Sequence, residues 1–218
     1  MVVSRRALLA VAVVWSCVAC CVPAQAGQPV PRVDFSGEAA SDDARYAARW
    51  VLETRDNRGL PFGIVDKREA KLYLFSGRGR LLGATPALLG LARGDHSVPG
   101  VGDLPAALIP PGDRTTPAGR FVTEPGHNLE GEDVVWIDYA AGLAIHRVRA
   151  NAAQEARLAR LASVMPDAHR VSAGCVVVPV DFYEAVVQPM FGRGRGVVYV
   201  LPETRPVKDM FALESVAE

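Results

Sequence analysis

The sequence predicts a mainly β domain with a few short helices, folded as a sandwich or barrel-like body. Short runs rich in Val, Ile, Leu, Tyr and Phe recur between residues 62 and 201. Turns rich in Gly, Pro and Asp separate them, as strand-to-strand connections require. Helical spacing is confined to a few places. With 218 residues, half of them apolar and 22% charged, the chain can bury the core of one domain.

Residues 1–26 read as a secretory signal peptide. Arg5 and Arg6 give a positive start, an apolar run interrupted by Ser16 follows, and Ala24-Gln25-Ala26 places small residues at a cleavage site. The run of residues 7–22 is shorter than the roughly 20 residues that span a bilayer, so no lasting membrane span is expected. The protein is therefore expected to be exported to the periplasm or cell envelope. Residues 27–60 read as a linker followed by a helix over 39–53, with Ala44, Ala47, Ala48, Val51 and Leu52 on one face and Ser41-Asp42-Asp43 as its cap.

Residues 61–204 hold the expected catalytic domain, and 205–218 a tail. Strands are predicted at 62–66, 71–75, 80–86, 119–123, 134–139, 143–148 and 196–201. A long loop covers 93–116, and loops of this length in compact domains are usually functional or disordered. Helices are predicted at 151–164 and 181–190, and Val171 and Val176 to Val178 bracket a tight Ser172-Ala173-Gly174-Cys175 turn.

The composition excludes several classes. Lys+Arg and Asp+Glu both number 24, which gives no basic excess for nucleic acid. No His-Glu-x-x-His helix or close His pair supports a zinc site, and no metal or organic cofactor is expected. A Gly-x-Ser-x-Gly elbow and a phosphate loop are both missing.

Cys17, Cys20 and Cys21 fall in the signal segment, which leaves Cys175 as the one cysteine of the mature chain. A lone thiol in an oxidising compartment is a liability unless it serves a purpose. Gly174 before it allows a sharp turn, so that backbone N–H groups near Gly174 and Cys175 can face an oxyanion. A thiol with a pKa near ~8.5 needs a base. His146, on the strand-like Leu143-Ala144-Ile145-His146, is the best candidate. His169, His96 and His127 lie in polar turns and read as surface residues.

These residues resemble the L,D-transpeptidase (YkuD) catalytic domain. That family places a His upstream of a Ser/Thr-His-Gly-Cys turn. Here His146 precedes Ser172-Ala173-Gly174-Cys175, and Thr116-Pro117-Ala118-Gly119-Arg120-Phe121 matches the family's Thr-Pro-x-Gly-x-Phe segment. The resemblance implies a YkuD-like fold. It implies that Cys175 forms a thioester with peptidoglycan stem peptides, that His146 takes the thiol proton, and that the Arg147 carbonyl orients the imidazole. Ser172, Ala173 and Gly174 would shape the turn and its oxyanion site. Because the donor stem carries carboxylates, Arg170 is expected to bind substrate. The sequence departs from the family pattern at Ala173, Val177 and Arg147. The alternatives are an L,D-carboxypeptidase or amidase of the same fold, or a weakened wall-binding protein.

Overall fold

A computed structural model describes residues 33–211. The expected signal peptide, linker residues 27–32 and tail residues 212–218 lie outside the described residues.

The chain builds strands β1 (Phe62–Asp66), β2 (Lys71–Phe75), β3 (Leu81–Pro86), β4 (Leu89–Gly90), β5 (Gly119–Val122), β6 (Glu124–His127), β7 (Asp133–Asp138), β8 (Leu143–Arg147), β9 (Arg170–Ser172), β10 (Val176–Val178) and β11 (Val197–Val200). The five-stranded sheet runs β3-β2-β1-β11-β5, and the four-stranded sheet runs β10-β8-β7-β6. β4 and β9 form a short parallel pair of their own. The domain is thus mainly β with short helices, as the sequence predicts.

The larger sheet is covered on both faces, which explains why β1, β2 and β11 read as nearly unbroken apolar runs. Alternate residues go to opposite sides. Val65, Leu72, Leu74, Val198 and Val200 pack with Val135, Ile145, Val176 and Val178 of the smaller sheet. Phe62, Ile64, Tyr73, Phe75 and Tyr199 pack instead under helix α1 (Asp42–Thr54), through Ala44, Ala47, Ala48 and Val51. The Ser41 hydroxyl caps α1 by accepting from the Ala44 N–H at 3.0 Å, and Asp42 and Asp43 sit favourably in its first turn.

Three differences from the sequence reading have physical reasons. β6 contains Pro125 and Gly126, which hid it, yet it is the edge strand of its sheet, where proline is tolerated. β4 is only two residues long and carries no periodicity of its own. Helix α2 (Gln154–Leu161) is shorter than expected, because its flanking residues form turns. Helix α3 (Val180–Phe182) continues through a π turn (Tyr183–Val187) into α4 (Gln188–Phe191) and closes the inter-sheet core with Tyr183, Val187 and Phe191.

Candidate active site

β8 and β10 pair in parallel, with Val177 opposite His146 and Val176 opposite Ile145. Cys175 immediately precedes β10. Strand periodicity puts residues 175 and 177 on the same side, the side to which His146 also points. Cys175 and His146 therefore stand on one side of the sheet, in diagonal register positions. Both line a cleft of about 310 Å³, with Leu88, Val177 and Val171 as its apolar floor and Ser172 and Ala173 beside the thiol.

The turn before Cys175 is held from three directions. Gly174 has φ 140°, and a Cβ there would lie 2.8 Å from the Thr115 carbonyl oxygen, so this position requires glycine. The Ser172 hydroxyl donates to the Cys175 carbonyl at 2.7 Å and accepts from the Gly174 N–H at 3.1 Å. The Thr116 hydroxyl donates to the Gly174 carbonyl at 2.7 Å and accepts from the Gly90 N–H at 2.8 Å. The expected oxyanion role of the Gly174 N–H is corrected by this arrangement, since Ser172 already takes it.

The His146 Nδ1 lies 2.8 Å from the Arg147 carbonyl. A carbonyl only accepts, so Nδ1 carries the proton and Nε2 keeps its lone pair. The Arg147 guanidinium lies over the Tyr183 ring, 5.6 Å from the centroid. Burial pushes the His146 pKa down to about 4. The Arg147 carbonyl opposes this, and Arg149 and Arg157 add to it. Burial pushes the Cys175 thiol up, against the Ala144 N–H, the positive charge of Arg149 and its own N–H. At neutral pH the pair therefore rests as thiol and neutral imidazole. Sγ sits 3.5 Å from the Gly142 carbonyl, to which the thiol donates.

Arg170 is elsewhere. It is buried, donates to the Lys67 carbonyl at 2.8 Å and pairs with Glu203 at 2.5 Å. Lys67, with no exposed side-chain surface, joins Asp95 at 2.8 Å and donates to the Thr116 carbonyl at 2.9 Å. Arg170 is therefore part of a buried ionic cluster and does not line the cleft, which corrects the substrate-binding expectation. His169 is also buried rather than solvated, with its ring nitrogens at the carbonyls of Ala87 (3.3 Å) and Ser163 (3.0 Å). His96 and His127 are exposed; His127 belongs to β6 and lies 3.1 Å from Asp133.

The arginines that do line the cleft are Arg114, Arg149 and Arg157, none of which the sequence reading chose as substrate-binding. Arg114 sits at the end of the long loop and Arg157 on α2, far apart in sequence, so no local motif marks them. Arg149 lies two residues beyond the end of β8, where strict alternation stops. Among the described residues no group of three or more His, Cys, Asp or Glu side chains is placed to hold a metal ion. No helix among them is long and apolar enough to cross a membrane.

The chain matches no family model, and no curated protein matches it. Its neighbours among solved structures include L,D-transpeptidases. The LD transpeptidase LdtMt1, solved in complex with imipenem, superposes with a TM-score of 0.38 at 16% identity, covering 65% of this chain and 58% of that one. An L,D-transpeptidase from Mycobacterium smegmatis superposes with a TM-score of 0.37 at 17% identity, covering 64% of this chain and 58% of that one. This chain thus spans less than two thirds of the length of either neighbour.

Proposed function

We propose that this chain is an exported cysteine acyltransferase of the L,D-transpeptidase type, acting on peptidoglycan stem peptides. The observation that carries the reading is the cleft shared by Cys175 and His146, with the Nδ1 proton tied to the Arg147 carbonyl and Nε2 left as the base. The ordered set of Thr116-Pro117, His146 and Ser172-Ala173-Gly174-Cys175 supports it as a resemblance.

In this reading Nε2 of His146 accepts the thiol proton as Sγ attacks the carbonyl carbon of the donor peptide bond. The oxyanion that forms meets backbone N–H groups near Cys175. Collapse of the tetrahedral intermediate breaks the C–N bond, and the imidazolium returns its proton to the leaving amine. An acceptor amine then attacks the thioester and releases the thiol. Because both partners start neutral, proton transfer accompanies attack instead of preceding it.

Mass analysis of muropeptides after incubation with the purified protein tests this. Cross-linked products that vanish in Cys175→Ala are expected. Hydrolysed stems alone would identify a carboxypeptidase or amidase, and no product from wild-type protein would leave a weakened wall-binding protein.

A further inference from the structure

The cleft wall carries three arginines and no acidic side chain. Arg149 is neutralised from outside the cleft by Glu130 at 2.7 Å and Glu132 at 3.2 Å. Arg114 gives Nε to the Ile109 carbonyl at 2.8 Å and a terminal nitrogen to the Ala107 carbonyl at 3.3 Å, contacts that fix its plane without cancelling its charge. Arg157 stands on the first half of α2 and has no carboxylate partner among the described residues. Two uncompensated guanidinium groups therefore border the same 310 Å³ as the thiol.

We propose that Arg157, together with Arg114, forms an anion subsite that holds a carboxylate of the acyl donor beside Cys175. The assignment rests on the thiol site described above, but not on which acceptor completes the reaction. A guanidinium offers paired donors that match a carboxylate edge. Half-burial in a cleft keeps the attraction stronger than at an open surface. Asn151 and Ser172 also line the cleft, and Leu88, Val171 and Val177 give it an apolar part, so a peptide carrying a carboxylate on an otherwise apolar arm fits its chemistry.

Two alkylating reagents of nearly equal shape read the subsite directly. Iodoacetate is an anion and iodoacetamide is neutral, and each transfers its methylene carbon to the Cys175 sulfur with loss of iodide. The rate ratio of iodoacetate to iodoacetamide should exceed that of a free cysteine derivative by about tenfold, the low end for a charge-assisted contact. It should fall toward the free-thiol value in 1 M KCl, where screening is short-ranged. Arg157→Ala should lower the ratio about 5–10-fold at low salt while the iodoacetamide rate changes little, and Arg157→Lys should keep most of it. An unchanged ratio in Arg157→Ala overturns the subsite, as does equal slowing of both reagents, which would mark a merely structural arginine. The two proposals fail separately. Loss of the ratio in Arg157→Ala together with no muropeptide product from the wild-type protein would keep the anion subsite and remove the acyltransferase. Cross-linking with an unchanged ratio would do the reverse.

Discussion

The Thr116 hydroxyl donates to the Gly174 carbonyl at 2.7 Å, across a gap of 58 residues in the chain. With its acceptance from the Gly90 N–H, this fully buried hydroxyl ties the Cys175 turn to both β4 and the end of the long loop. The Thr-Pro segment thus fixes the position of the turn that carries the candidate nucleophile.

Thr116→Val, which keeps the shape, should leave two buried backbone groups unpaired, each costing about 1–3 kcal/mol. The melting temperature should drop and iodoacetamide labelling of Cys175 should change, while Thr116→Ser restores both. Thermal unfolding and labelling rates check this; a Val variant with wild-type stability would contradict the role given to the hydroxyl.

His146→Ala should lose about 10²–10⁴-fold in turnover with its fold intact, the usual cost of removing a general base. His169→Ala should behave in the opposite way. Its ring fills a buried site between the Ala87 and Ser163 carbonyls, so its removal should lower stability first. Circular dichroism melts beside kinetics separate the two. A fully stable His169→Ala that is catalytically dead would reverse the assignment.

The strands and the turn at Cys175 were legible because their signals are local. Apolar runs bounded by turns mark β1, β2 and β8, and a glycine before a lone cysteine marks a turn. What the sequence hid depends on tertiary pairing. Arg170 is close to the thiol along the chain, yet β9 turns its side chain toward Glu203. Arg157 is far away along the chain, yet α2 returns it to the cleft. Charge alone does not reveal which arginine meets a buried acid and which remains uncompensated.

The pH dependence follows from His146. Its folded pKa, near 4, lies below the ordinary 6.5 of an unfolded histidine, so between these values the unfolded chain binds more protons. This contribution to stability is fully present above about 6.5 and is lost as pH falls through about 4. His146→Gln should flatten that part of the stability curve by about 3 kcal/mol. Catalysis in the wild type should likewise keep its base unprotonated down to about pH 5. Urea unfolding at a series of pH values checks the first; an acid limb of kcat/KM centred near 6.5 would contradict the second.

The buried ionic cluster supplies the last prediction. Lys67 reaches Asp95 at 2.8 Å and Glu203 at 3.5 Å, and Glu203 also holds Arg170. Burial lowers the Lys67 pKa, but hydrogen bonding to Asp95 and the nearby negative charges of Glu203 and Asp95 oppose the shift. Burial alone would raise the Asp95 pKa, yet hydrogen bonds from Lys67, Thr204 and the backbone hold it far below the usual carboxylate range. Lys67→Met would leave a buried carboxylate without its cation, a change that typically costs about 3–5 kcal/mol. It would also free the Thr116 carbonyl, which Lys67 holds at 2.9 Å, and so loosen the support of the Gly174 turn. The expected result is a large fall in melting temperature together with altered Cys175 labelling at temperatures where the variant is still folded. Should Lys67→Met melt as the wild type does, the cluster would have no part in holding the loop; should it melt early but label normally, the link from Lys67 through Thr116 to the thiol would be broken.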